Sequence, residues 1–137
     1  MSEDNGGASS SEPWAIGIEE EYLLFDADGG GLRSDSEAVR AAVAARTGTE
    51  IDPELLQSQV EVATGVHATI DAAGAELGEL RRTVAAGAEA AGCRLVAAGS
   101  HPTARWRDQQ VTDRERYHGL ADTGGPVARE TMVCGLH

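Results

Sequence analysis

GIEEEYLLFD, residues 17–26, sets three adjacent carboxylates inside an apolar run, and its reading decides the fold. Extended back to residue 14, the run alternates as a strand does. Ile16, Ile18, Tyr22 and Leu24 share one parity; Gly17, Glu19, Glu21, Leu23 and Phe25 share the other. Adjacent carboxylates disfavour a strand, so something must compensate for them. Alternation sends Glu19 and Glu21 to the same face, about 6.5–7 Å apart. The turn residues at 26–31, Asp-Ala-Asp-Gly-Gly-Gly, close the strand.

Outward from this strand, ELLQSQVEVA at 54–63 reads as a second one. Leu56, Ser58, Val60 and Val62 fall on one face, and Leu55, Gln57, Gln59 and Glu61 on the other. A helix is predicted over 35–46, opened by Ser34, Asp35 or Ser36 and stopped by Thr47-Gly48. The clearest helix spans 69–91, where Ile70, Ala73, Leu77, Leu80, Val84, Ala88 and Ala91 make one apolar stripe ending at Gly92. A short buried strand is predicted at 95–98, followed by a turn at 99–102. A further helix is predicted at 112–122, capped by Thr112 or Asp113. Residues 127–132 read as helix or extended chain, and 131–137 as the beginning of a strand. There is no internal repeat. The first two strands alternate instead of running continuously apolar. That pattern favours a sheet with one covered face and one face open to a site, an α+β arrangement with flanking helices.

The 137 residues suffice for one domain. Acidic residues number 23 against 11 basic ones, all arginine, for a net charge of −12. A chain this acidic is a poor partner for nucleic acid or an anionic membrane. Aromatic residues make up only 4% and much of the apolar content is alanine, so the core is thin. No apolar run reaches the roughly 20 residues of a membrane span. Residues 1–12 are polar and read as a disordered leader, without the apolar segment of a signal peptide. Cys93 and Cys134 are too few for a disulfide framework, which fits a reduced, cytoplasmic setting. No phosphate-loop or dinucleotide fingerprint occurs; Gly29-Gly30-Gly31 is a turn.

Glu19 and Glu21, joined by Glu61 if the two strands pair, form a set of oxygen ligands suited to a hard cation such as Mg²⁺. Two other readings of the same residues are a solvated sheet face and a general acid/base pair. His101 beside Pro102 reads as a hydrogen-bonding loop residue, and His137 as a solvated tail residue. His67 and His118 have no constellation around them. Cys93 and Cys134 read as packing residues. Arg81, Arg82, Arg105, Arg107, Arg114 and Arg116 are either surface charges or partners for carboxylates and phosphates.

Several segments together resemble one family: GIEEEYLLFD at 17–26, ELLQSQVEVAT at 54–64, AAGSHP at 97–102, the Arg116-Tyr117 pair, and CGLH at 134–137. The chain resembles the N-terminal part of a glutamate–cysteine ligase, in the bacterial carboxylate–amine ligase branch, over residues 14–137. The resemblance implies an α+β, glutamine-synthetase-like catalytic domain with a curved antiparallel sheet. It implies ATP-dependent phosphorylation of the glutamate γ-carboxylate. Cysteine or another amine then attacks the acyl phosphate to give a γ-glutamyl amide, with ATP and Mg²⁺ as cofactors. Carried over by position, Glu19, Glu21 and Glu61 match metal-binding glutamates, Glu54 a further acidic position, and His137 the histidine of the Gly-Leu-His strand. The implied partners are small molecules, with neither nucleic acid nor membrane, and a homodimer is a candidate assembly. The family domain runs to more than twice this length, so residues 13–137 are expected to be a truncated N-terminal part. The alternative is a truncated, non-catalytic remnant that binds divalent cations or a partner.

Overall fold

The strand carrying the three glutamates is the middle of a three-stranded antiparallel sheet. β1 (Glu19–Asp26) lies between β2 (Gln59–Ala63) and β3 (Cys93–Val96). The structure is a computed structural model that describes residues 14–28, 30–124 and 132–137. The leader read at 1–12 and the segment read at 127–131 lie outside the described residues.

β1 pairs with β2 from Glu19↔Ala63 to Leu23↔Gln59, which sets Glu21 directly opposite Glu61. Its other edge is shared. Residues 23–26 pair with β3. Residues 19–21 bond the backbone of Gly135 and His137: the Glu19 and Glu21 N–H groups donate to the His137 and Gly135 carbonyls, and the His137 N–H donates to Glu19. The glutamates therefore sit where β1 has a neighbour on each side, which fixes its pleat.

Parity separates the two faces as the sequence predicts. Tyr22, Leu24, Val60 and Val62 point into a core completed by Val39 and Val43 of α1 (Ser36–Thr47) and Leu77, Val84 and Ala88 of α2 (Ile70–Ala90). Burial of each such Leu or Val contributes about 1.5–3 kcal/mol. The opposite face is not wholly open, contrary to expectation. Leu23 and Gln59 on it are buried, and the Gln59 amide donates to the Val133 carbonyl at 2.9 Å, so the C-terminal segment covers part of it.

The helix ends follow their punctuation. Gly48 (φ 71°) closes α1 and Gly92 (φ 75°) follows α2 in the left-handed region. The Thr69 hydroxyl accepts from the Ala72 N–H to cap α2. The two helices approach closely at Gly87, where a Cβ would lie 2.4 Å from Val43 Cγ2.

Four boundaries differ from the sequence reading. β1 begins at Glu19 because the pairing turns irregular before it: the Thr64 N–H donates to the Ile18 carbonyl, the Ile18 N–H donates to the Thr64 hydroxyl, and Ile16 bridges His67. β2 begins at Gln59 because its N–H donates back to the Leu56 carbonyl, closing a turn, and Pro53 bridges Val60 from the outer side. β3 starts at Cys93, two residues early, directly after the turn at Gly92. α3 (Glu115–Thr123) starts later than predicted, since the Thr112 hydroxyl donates to the Glu54 carbonyl at 2.6 Å instead of capping the helix. A single 3₁₀ turn at Trp106–Asp108 was not predicted. Residues 132–137 are extended, with bridges at Val133 and Leu136. Among the described residues, no helix is long and apolar enough to cross a membrane.

Candidate functional site

β1 and β2 bring Glu21 and Glu61 together by register, and the turn before β2 adds Glu54. One carboxylate oxygen from each lies within 4.8 Å of the other two. Two of the three are held by local contacts. Glu21 accepts from the Gly135 N–H at 2.8 Å. Glu54 accepts from the Leu55 N–H at 2.9 Å, and its carbonyl is tied to Thr112. Among the described residues, no arginine or histidine forms an ion pair with any of the three. Burial, followed by the charges of Glu54, Glu19, Glu21 and Asp52, raises the Glu61 carboxyl above its ordinary range.

Three half-buried carboxylates converging without an ion-paired cation among the described residues are the donor set that a hard divalent ion takes. The residues present therefore fit such an ion. Glu19 stands outside the group of three: it is exposed, and its charge reaches Glu61 only as one of the causes of that shift. His137 is also outside it but lines the same cleft as Glu21 and Glu54. Its ring folds back over Gly135, where a Cβ would lie 2.6 Å from His137 Nε2. Gly135 thus makes room for the imidazole while its N–H holds Glu21.

That cleft, about 680 Å³, has an acidic end at Glu21 and Glu54 and a less polar wall that includes Leu55, Tyr117 and Cys134. A second hollow of about 400 Å³ places Arg114 and Arg116 beside Asp52, Glu54 and Glu61. Arg116 stacks over the Tyr117 ring at 4.7 Å and donates to its hydroxyl at 2.8 Å; that hydroxyl in turn donates to the Pro53 carbonyl. Burial pushes the Cys134 thiol up to about 11, which keeps it protonated near neutrality.

Gln59 is the residue that sequence reasoning passed over. It is buried and lines the cleft, and its amide reaches Val133 and, at 3.3 Å, Cys134 Sγ. Its parity with Glu61 was the available signal. Two other candidates have different duties. Arg81 binds Glu20 on the core side of the sheet. His101 is a loop residue as read: its Nε2 bonds the Gly30 carbonyl, and its Nδ1 accepts from the Thr103 and Ala104 N–H groups.

Residues 15–137 match the family model described as "Glutamate-cysteine ligase family 2(GCS2)". Proteins named "Putative glutamate--cysteine ligase 2" are similar along most of the chain. The one from Jannaschia sp. (strain CCS1) is 44% identical over 93% of this chain and 34% of its own length. Those from Ruegeria pomeroyi and Roseiflexus castenholzii are 41% and 37% identical, over 97% and 95% of this chain and 34% of each relative. The chain spans about a third of the length of the curated relatives it matches. With the family model covering nearly all of the described residues, the chain belongs to glutamate–cysteine ligase family 2.

Proposed function

We propose that this chain supplies the metal-binding part of an ATP-dependent carboxylate–amine ligase that joins glutamate to an amine. The observation that carries the reading is the convergence of Glu21, Glu54 and Glu61 in a chain of this family. Glu21, Glu54 and Glu61 would hold Mg²⁺, with Glu19 and His137 at the margin of the same face. A divalent ion held there would supply charge neutralisation for phosphoryl groups during in-line transfer.

The chain's own residues have definite tasks in this scheme. Gly135 orients the Glu21 carboxylate through its N–H. Thr112 and Tyr117 fasten the 53–54 backbone, so that Glu54 keeps its place as ligand. The cleft beside the cluster would receive small-molecule substrates: ATP, glutamate and cysteine or another amine. Residues 13–137 would form the N-terminal portion of the catalytic domain, in a cytoplasmic enzyme.

The test is ADP release from ATP in the presence of glutamate, an amine and MgCl2, by a protein of the relatives' length that carries this chain at its N-terminus. Glu21→Gln should lower the rate by at least about a hundredfold, in line with the loss of a metal ligand or of charge stabilisation. An unchanged rate in that variant contradicts the role of Glu21. Absence of ADP release with tight cation binding retained favours a non-catalytic, cation-binding chain.

A further inference from the structure

Glu20, the middle glutamate, faces away from the cluster. Its side chain is on the core face of β1 and is 5% exposed. Arg81 of α2 grips it with both ends of its guanidinium, Nε to Oε2 at 2.6 Å and Nη2 to Oε1 at 2.7 Å. The Tyr22 hydroxyl donates to the same carboxylate. Three donors on one buried carboxylate are an unusual provision in a thin core. Only the Glu20 side of the pair is buried: the Arg81 side chain is 47% exposed, so solvent screens the contact and its contribution to stability is modest. Stability alone therefore gives little reason for this pair.

Its place in the strand gives a better one. Glu20 lies between Glu19 and Glu21, so an anchor on its side chain adds to the hold that the two neighbouring segments have on the pleat at this point. Glu21 must stay opposite Glu61 although the carboxylates repel one another. A bidentate guanidinium–carboxylate contact fixes orientation as well as distance, which an apolar contact does not. Arg81 also ties this point of β1 to α2, whose Leu77 and Val84 are set in the core.

We propose that the Glu20–Arg81 pair is a positioning device for the acidic cluster, holding β1 so that Glu21 meets Glu54 and Glu61 in a geometry that binds a divalent cation. The inference rests on the metal-binding reading above. Glu20 and Arg81 touch no ligand themselves; they act through Glu21.

The test is Mn²⁺ binding by the full chain, followed by the loss of the free-ion paramagnetic resonance signal, alongside thermal unfolding. The informative variant replaces the whole network: Glu20→Met, Tyr22→Phe and Arg81→Met together. Tyr22→Phe is included because its hydroxyl would otherwise be left without an acceptor. The variant should stay folded with a Tm within a few degrees of the unaltered chain, roughly what a screened, half-exposed pair contributes, and bind Mn²⁺ about tenfold more weakly, the size expected of a lost supporting shell. Arg81→Lys, which keeps the charge but not the fork, should fall between the two. If the triple variant does not fold, Arg81→Lys measured well below its Tm decides the matter in the same way. Glu21→Gln in the unaltered background is the control and should abolish binding. Binding within twofold of the unaltered chain in a folded variant, with Glu21→Gln still inactive, overturns the positioning role and leaves the metal site standing. No Mn²⁺ binding by the unaltered chain overturns both.

Discussion

Replacing Glu61 by Gln should stabilise the metal-free protein. The Glu61 carboxylate lies within 4.8 Å of those of Glu21 and Glu54. Two unit charges at that separation repel by about 1 kcal/mol in water and about 3.5 kcal/mol at an effective dielectric of 20. The cluster is half-buried and Gln keeps the side-chain shape. With solvent screening allowed for, loss of both repulsions should add about 1–3 kcal/mol. In a chain of this size that raises Tm by roughly 3–10 °C. The pH dependence has a definite sign. Burial first, then neighbouring charges, raises the folded-state pKa of Glu61. Between the unfolded and folded values the folded state holds the extra proton, so stability falls as pH rises through that window, and the deficit is complete above it. The advantage of Glu61→Gln should therefore grow from the ordinary carboxylate range toward neutrality. Added MgCl2 should raise the Tm of the unaltered chain and barely move that of the variant. Thermal unfolding by circular dichroism, in EDTA and in MgCl2 across that pH range, measures all three effects. A lower Tm for the variant in EDTA refutes the electrostatic reasoning. An equal response to MgCl2 refutes a role for Glu61 in holding the ion.

Three further outcomes follow from the packing. Gly87→Ala forces a Cβ to 2.4 Å from Val43 Cγ2 and 3.3 Å from the Val39 carbonyl. The overpacking cost of about 1–3 kcal/mol should outweigh a helix-propensity gain of about 1 kcal/mol, so the urea midpoint falls; a higher midpoint contradicts the close helix approach. Thr69→Ala removes the α2 cap and should cost about 1 kcal/mol in the same titration, while an unchanged midpoint means that the hydroxyl contributes nothing. With its thiol pushed up to about 11, Cys134 should react with iodoacetamide at neutral pH at least about tenfold more slowly than glutathione; an equal rate would place the thiol in solvent.

The site was legible in the sequence to the extent that strand parity governs it. Period-two alternation put Glu21 and Glu61 on one face, and the register then set them opposite each other. It also put Glu20 on the core face, but periodicity does not say what compensates a buried carboxylate. The partner is 61 residues away on α2. Glu54 was read as the first residue of the second strand, but it sits before a turn closed by the Leu56–Gln59 hydrogen bond, outside β2. Its arrival at the cluster depends on Thr112, whose hydroxyl is equally suited to a helix cap. Glu19 shares parity with Glu21 yet stays outside the group of three: it pairs with Ala63, two residues along β2 from Glu61. The helices were read to within a residue or two at their glycine and threonine ends. The segment after residue 102 was not, because its contacts are loop hydrogen bonds with no periodicity.

The most direct test of the account is anomalous diffraction from a crystal of the chain grown with MnCl2 as a probe for the Mg²⁺ site. A manganese peak bonded to carboxylate oxygens of Glu21, Glu54 and Glu61 at roughly 2.0–2.2 Å is the expected result. A fully ordered cluster with no peak, or a peak bound elsewhere on the chain, would contradict it.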